Sequence, residues 1–351
     1  MNPILATTLS KYTTIVVVGW WTGWHIQPIV SLTRHIKNTD FIPHFLWIGG
    51  RDSQEEKIAT EENIEFVSIP TLKLATTKSF KVFLYPLFLE LGFYRAWRIL
   101  KWIRDKNICV FSKWWPGSVS IGIAAWSLSI PLYIHESDTV PGISNRILWK
   151  FSAKIFLGFE PAKKYFKVNK CDVIGQILDP VFDSPSKDIR IKESKITWKT
   201  SKPHILVICG SQGSHIIFQS IIDQFSDNSD YEWIIALGKL NSNMQGKFSK
   251  ISDCQALKWI SQSDIAQLIH TTDIAISRWS ATTLAELTSW NEMKPQLVII
   301  PLPYSAGNHQ HVNALEYEKM GHILLGQRNI INLKTTLNKL TNYAWNTTEN
   351  K

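Results

Sequence analysis

The sequence predicts an α/β chain of two Rossmann-like, doubly wound domains facing a cleft. Three observations carry this. The chain has 351 residues, about right for two domains of roughly 100–200 residues each. Two segments open alike, TTIVVVGWWTGWHIQP at 13–28 and PHILVICGSQGSHIIF at 203–218: a β-branched run, a loop with glycine, then an apolar helical pattern. From each opening, apolar runs alternate with helical stretches, the order of a parallel sheet with crossover helices.

Taken in order, Ile15–Val18 is a continuous apolar run, as expected of a strand buried on both faces. It is too short for a signal-peptide core. Strands follow near 44–48 (HFLWI), 65–69 (EFVSI), 108–111 (ICVF), 131–134 (PLYI) and 154–158 (KIFLG). Residues 80–100, FKVFLYPLFLELGFYRAWRIL, are dense in aromatic and aliphatic side chains, with Lys81, Arg95, Arg98 and Lys101 around them. Such a stretch suits a helix lying in a lipid headgroup region; a buried helix pair with a basic rim is the competing reading. Residues 179–203 are rich in Pro, Ser and Lys and lack an apolar period, so they read as a linker. The second half places strands near 232–237, 273–277 and 296–300. The expected domains are 1–180 and 203–351, joined by 181–202, with the last helix packing back on the first domain.

Composition narrows the function classes. The chain is 44% hydrophobic and 19% charged, which excludes a disordered or collagen-like protein. Its four cysteines, at 109, 171, 209 and 254, form no Cys-x-x-Cys pair, so neither a disulfide scaffold nor a zinc site is expected. A net charge of +9 favours anionic partners without choosing among them. The basic residues are dispersed and no nucleic-acid-binding motif occurs, so nucleic acid is not an expected partner. No apolar run reaches the roughly 18 residues of a membrane span. The chain is therefore expected in the cytoplasm, attached at most to a membrane surface.

Six motifs stand where strands give way to loops. Gly19-Trp20-Trp21-Thr22-Gly23-Trp24-His25 follows the first strand; it reads as a phosphate-binding loop or as a turn packed with aromatics. Ser112-Lys113-Trp114-Trp115-Pro116-Gly117 follows the strand at 108–111. His135-Glu136-Ser137-Asp138 ends the strand at 131–134; its polar residues face a ligand, or Ser137 or Asp138 caps a helix. Gly210-Ser211-Gln212-Gly213 opens the second half as a phosphate cradle. Arg278-Trp279-Ser280-Ala281-Thr282-Thr283-Leu284-Ala285-Glu286 runs from strand into helix, where Glu286 could accept from ribose hydroxyls or simply face solvent. Asn308-His309-Gln310-His311-Val312-Asn313-Ala314 contains a His-x-His pair, but no cysteine or carboxylate cluster completes a metal site.

In this order and spacing the six motifs resemble the MurG family of UDP-N-acetylglucosamine–lipid I N-acetylglucosaminyltransferases, glycosyltransferase family 28. The likeness spans nearly the whole chain. It implies a GT-B arrangement and inverting, metal-independent transfer without a cofactor, in the synthesis of peptidoglycan. The second domain would hold UDP-N-acetylglucosamine: Ser211 and Gln212 near the phosphates, Thr283 near the pyrophosphate, Glu286 on the ribose, Gln310 on the sugar and the Ile260 backbone on uracil, with Ala281 and Thr282 also among the substrate-binding residues. The first would hold lipid I, an undecaprenyl-diphosphate-linked acceptor, at Thr22, Gly23, Trp24 and Asp138. His25 is the candidate general base on the acceptor hydroxyl, a role suited to an imidazole near neutral pH; Glu136 is the alternative. The resemblance places the protein at the cytoplasmic face of the plasma membrane, peripherally, among other wall-synthesis proteins. Two other functions stay open: a related lipid glycosyltransferase with a diacylglycerol acceptor, and a catalytically inactive UDP-sugar-binding scaffold.

The chain departs from the family pattern in two ways. Trp20, Trp21, Trp24, Trp114, Trp115 and Trp279 stand where the family has glycine or another small residue; Trp149, Trp198 and Trp290 are weaker cases. Glycine numbers 17 of 351 residues, below the usual share of about 7%, while tryptophan numbers 16. A UGA codon read as glycine by the cell and as tryptophan by a translation table would produce this pattern. Separately, Gly175-Gln176-Ile177-Leu178-Asp179 replaces the family's Gly-Asn-Pro-Val-Arg, so an arginine that could face phosphate becomes Asp179.

Overall fold

The computed structural model describes residues 2–19, 23–38, 42–71, 85–113, 117–183, 196–226, 230–291, 294–301 and 309–348. At 23–25, 85, 105, 309–310 and 342–348 the description is of backbone alone. The chain divides into two compact units, Met1–Pro180 and Val181–Lys351.

In the first unit β1 (Thr14–Gly19), β2 (His44–Gly50), β3 (Glu65–Ile69), β4 (Ile108–Lys113), β5 (Leu132–Glu136), β6 (Lys154–Leu157) and β7 (Cys171–Val173) form one sheet in the order β3-β2-β1-β4-β5-β6-β7. Every pairing is parallel. The β-branched run of β1 feeds both faces, because alternate side chains point opposite ways. Val16 and Val18 join Val110, Ile134, Ala96, Leu100 and Ile121 on one face. Ile15 and Val17 join Trp47, Phe111, Phe156, Ile26 and Ile29 on the other. Each Val, Leu, Ile or Phe side chain among them, fully buried, stabilises the unit by about 1.5–3 kcal/mol before entropy is counted.

The connecting helices are α2 (Gly23–Lys37), α3 (Gln54–Glu61), α4 (Tyr85–Ile103), α5 (Ser118–Ser127) and α6 (Ile143–Leu148). An additional helix, α1 (Pro3–Leu9), precedes β1. Asn2 caps it by accepting from the Ile4 N–H, and Leu5 and Leu9, four apart, bury against the sheet. In α4, Gly92, Ala96, Leu100 and Ile103 point inward, while Leu87, Leu91, Tyr94, Arg98 and Trp102 are exposed along one stripe. Among the described residues no helix is long and apolar enough to cross a membrane.

The second unit holds β8 (His204–Ile208), β9 (Glu232–Ala236), β10 (Cys254–Leu257), β11 (Ile274–Ser277), β12 (Gln296–Ile299) and β13 (Ile323–Leu324), in the order β10-β9-β8-β11-β12-β13. Its helices are α7 (His215–Phe225), α8 (Gln262–Leu268), α9 (Ala281–Leu287), α10 (His309–Lys319) and α11 (Leu333–Thr348). Leu333 and Leu337 of α11 sit in this unit's own core with Phe218, Ile221 and Trp233. The last part of the expected linker belongs here too. Glu232 accepts the N–H groups of Lys199 and Thr200, at 2.7 Å each, and Trp198 stacks on His204 with ring centroids 4.4 Å apart.

The strands β7, β10 and β13, absent from the expectation, are short and lie at sheet edges. Their residues are only partly buried, so they carry no continuous apolar run. Both sheets reverse strand order beside their first strand, between β1 and β4 and between β8 and β11. In doubly wound sheets, ligands bind in the crevice beyond the carboxyl ends at such a point.

Candidate active site

In the second unit the Gly210–Ser214 loop lies at the carboxyl end of β8. Gly210 and Gly213 both have φ of +75°. A Cβ on Gly213 would stand 1.9 Å from the Leu237 carbonyl oxygen, so only glycine fits. Four consecutive carbonyls of the loop accept internal hydrogen bonds. Gly210 takes the Gly213 N–H (3.1 Å), Ser211 the Lys239 N–H (2.9 Å), Gln212 the Asn241 Nδ2 (2.8 Å) and Gly213 the Arg278 Nη1 (3.1 Å). The amides of Ser211, Gln212 and Ser214 make no hydrogen bond to a described residue. A loop with its carbonyls tied back and the amides of Ser211, Gln212 and Ser214 unspent, leading into an 11-residue helix, has the arrangement that suits an anion.

The β11 side of the same switch point adds to it. Ser277 Oγ donates to the Ile208 carbonyl at 2.7 Å, locking the two strand ends together. Arg278 reaches across to the glycine loop, and its Nε–H is buried without a partner among the described residues. Ser280 caps α9 by accepting the Thr283 N–H at 3.2 Å, so that amide serves the helix. Ala281, Thr282, Thr283 and Glu286 are buried. Glu286 is therefore not a solvent-facing residue; its Oε1 accepts from Gln262 Nε2 at 3.2 Å. Ile260, also buried, immediately precedes the Ser261–Asp264 capping box that opens α8. Its backbone N–H and C=O make no hydrogen bond to a described residue. Gln262 thus joins the loop after β10 to Glu286, a link with no local signal, since a glutamine in a helix's first turn is unremarkable by itself. Gln310 follows β12 on α10, and its side chain lies outside the described residues.

In the first unit, register brings Gly19, Lys113 and His135 side by side on β1, β4 and β5. Trp20, Trp21, Thr22, Trp114 and Trp115 lie outside the described residues, as do the side chains of Gly23, Trp24 and His25. Lys113 is buried, and its Nζ donates to His135 Nδ1 at 2.8 Å and to Ser137 Oγ. An ammonium has no lone pair, so Nδ1 accepts; Nε2 then carries the proton and donates to the Gly175 carbonyl at 3.0 Å. Burial first, and then the Lys113 charge, hold the His135 pKa well below its ordinary value, so the ring is neutral.

Glu136 is also buried. Its Oε1 accepts the Asp138 N–H at 2.9 Å, and its Oε2 accepts the Gly142 N–H at 3.1 Å and Asn145 Nδ2 at 2.9 Å. Burial pushes its carboxyl up to about 7 and pulls the Lys113 ammonium down to about 8. A pKa near neutrality suits a general base. Here, though, the carboxylate's acceptor sites are occupied by the loop it folds, which makes it an anchor. Neither Ser137 nor Asp138 caps a helix: α6 begins after Gly142, with no side-chain cap. Asp138 remains half-buried on the 137–142 loop. Asp179 faces protein: its Oδ2 accepts Arg34 Nη1 at 2.7 Å, and Arg34 also pairs with Glu62.

Known proteins match this chain in both halves. The Glycosyltransferase family 28 N-terminal domain matches residues 15–157, and the corresponding C-terminal domain matches 204–350. The UDP-N-acetylglucosamine–N-acetylmuramyl-(pentapeptide) pyrophosphoryl-undecaprenol N-acetylglucosamine transferase of Caldicellulosiruptor saccharolyticus is 31% identical over 341 residues, covering 93% of this chain and 88% of the relative. The enzyme of the same name from Clostridium novyi is 30% identical over 95% of this chain and 90% of its own length. Among solved structures, MurG of Acinetobacter baumannii shares the fold with a TM-score of 0.71 at 20% identity, covering 94% of this chain and 92% of that one. A UDP-GlcNAc 2-epimerase from Neisseria meningitidis, bound to UDP-GlcNAc, aligns with a TM-score of 0.60 at 14% identity, over 94% of this chain and 92% of its own. With its two halves matched in order and a relative 31% identical along nearly its full length, the chain belongs to glycosyltransferase family 28.

Proposed function

We propose that this protein transfers N-acetylglucosamine from UDP-N-acetylglucosamine to lipid I, with inversion at the anomeric carbon. The acceptor hydroxyl attacks that carbon, its bond to the diphosphate breaks, and UDP departs with the electron pair. His25, at the start of α2, is the proposed base that takes the hydroxyl proton. The leaving diphosphate gains charge, and the amides of Ser211, Gln212 and Ser214 with Arg278 are suited to receive it without a metal. That loop, with four carbonyls tied back and those three amides unspent, is the observation that carries the proposal. The Ile260 backbone, without a hydrogen-bond partner among the described residues, and the buried Glu286 support uracil and ribose contacts beside it.

The test is transfer of labelled N-acetylglucosamine to a lipid I analogue by the natively expressed protein. No labelled disaccharide product would defeat the proposal, and a diacylglycerol product would redirect it. Glu286→Ala is expected to raise the KM for UDP-N-acetylglucosamine about 10–100-fold, from loss of hydrogen bonds made by a charged group, each worth about 1.5–3 kcal/mol. An unchanged donor KM would remove Glu286 from the site.

The proposal includes attachment to the cytoplasmic leaflet through α4. Its exposed stripe combines Leu87, Leu91 and Tyr94 with Arg95, Arg98 and Lys101. A groove of about 830 Å³ runs beside it, lined in part by Arg95, Arg98, Trp102 and Lys106. Basic side chains near an anionic surface contribute about 1 kcal/mol each. Lys81, Phe83 and Leu84 of the expected patch lie outside the described residues. Replacing Leu87, Leu91 and Tyr94 together by Ser is expected to cut binding to phosphatidylglycerol vesicles at least 10-fold, with the melting temperature unchanged. Equal binding by the triple variant would exclude this face.

A further inference from the structure

Resting on the proposed transfer and deepening it, we infer that Lys113 is a positioning residue of the acceptor half. Its buried ammonium, at the carboxyl end of β4, fixes the His135 imidazole and pins the loop that carries Asp138. Burying a lysine is expensive, because its ammonium loses its hydration. A methionine would fill nearly the same volume without that cost. Lysine makes sense here through what its donors hold.

Two bonds define the role. One goes to His135 Nδ1, which leaves Nε2–H to reach the Gly175 carbonyl. The other goes to Ser137 Oγ, the first residue after β5. On the other side of Ser137, Gln176 Nε2 donates to its carbonyl at 2.8 Å. The start of the 137–142 loop is thus gripped between β4 and the 175–176 segment, while Glu136 holds Asp138 N–H and Gly142 N–H from beneath. Opposite charge beneath and beside the loop, Glu136 and Asp138 against Lys113, favours the ammonium and draws it to this place. Register sets Lys113 directly across from Gly19, the residue that leads into the first loop. A rigid 137–142 loop therefore borders the switch-point crevice of this unit, where its acceptor would lie.

Lys113→Met tests the inference in the full-length protein carrying glycine at positions 20, 21, 24, 114, 115 and 279, which is the parent for the comparison. The expected result is a rise of at least 10-fold in the KM for a lipid I analogue, with the donor KM within 2-fold of the parent. In ¹⁵N spectra, His135 is expected as the Nε2–H tautomer in the parent and as a mixture in the variant. Ser137→Ala keeps the buried charge and removes one grip, so it should give a smaller rise in the same acceptor KM. It also serves if Lys113→Met does not fold. An acceptor KM unchanged in a folded Lys113→Met variant, or in Ser137→Ala, overturns the inference while leaving the transferase proposal standing. So does a parent His135 protonated at Nδ1. Absence of transfer by the parent defeats the transferase proposal instead.

Discussion

Peptide mass spectrometry of the natively expressed protein between Lys11 and Arg34 is expected to read glycine at positions 20, 21 and 24. The corresponding loop of the second unit shows why such a site needs it: two of its residues sit at φ +75°, and one has a carbonyl oxygen where a Cβ would be. Left-handed backbone costs a side-chain-bearing residue roughly 1–2 kcal/mol. Three tryptophans forced into it would cost about 3–6 kcal/mol, against a total stability of about 5–15 kcal/mol. The fold could survive this, but a diphosphate pocket filled by indoles could not. Trp279, in the β11–α9 loop, carries a second sign. Its indole N–H is buried without a partner among the described residues, as is that of Trp198, whereas the core residue Trp47 donates to the Gly19 carbonyl. Buried indoles ordinarily find an acceptor. Recombinant protein with tryptophan at positions 20, 21, 24, 114, 115 and 279 is therefore expected to fold and be inactive. The variant with glycine at all six should gain at least 100-fold in transfer, the scale set by restoring one or more charge-stabilising donors. Tryptophan in the native peptides, together with equal activity of the two recombinant forms, would overturn this. Tryptophan together with no activity would favour a UDP-sugar-binding scaffold.

Gly213→Ala is expected to abolish donor binding, with an affinity for UDP reduced at least 100-fold. The added methyl would lie 1.9 Å from the Leu237 oxygen and 2.6 Å from Asn241 Nδ2, in a residue with φ +75°. The backbone strain alone is about 1–2 kcal/mol. Relieving the clash must move the loop or break the Asn241 bond to the Gln212 carbonyl, and either change re-aims the unspent amides. Gly246→Ala is the control, because nothing lies within 4 Å of its Cβ position. Calorimetric titration with UDP separates the two variants. Near-parental affinity in Gly213→Ala would remove the loop from the phosphate site.

In the second unit the loop itself was legible in the sequence. Gly210-Ser211-Gln212-Gly213 after a β-branched run reads as an anion cradle, and only the fold shows the carbonyl ties that leave the Ser211, Gln212 and Ser214 amides unspent. The acceptor half was legible as motifs but not as roles. Glu136 reads in sequence as a free carboxylate beside His135; in the fold its oxygens are taken by Asp138, Gly142 and Asn145. Asp179 reads as a lost phosphate contact; in the fold it pairs with Arg34. Gln262 lies in none of the six motifs, and Gln176 stands in the stretch that departs from the family pattern; each acquires a role only from a neighbour more than twenty residues away.

Sequence alone determined which segments become central strands and which loops end them. A β-branched run is apolar on both faces whatever packs against it, and a glycine before a helix keeps its local meaning. Edge strands such as Cys171–Val173 and Cys254–Leu257 escaped that rule, because one side of an edge is solvated and need not be apolar. Tertiary structure alone decided which polar groups remain to meet a ligand and which are consumed inside. Lys113 and His135 are neighbours only once β4 and β5 pair in register, and a buried charge takes its pKa and its role from whatever that pairing sets beside it.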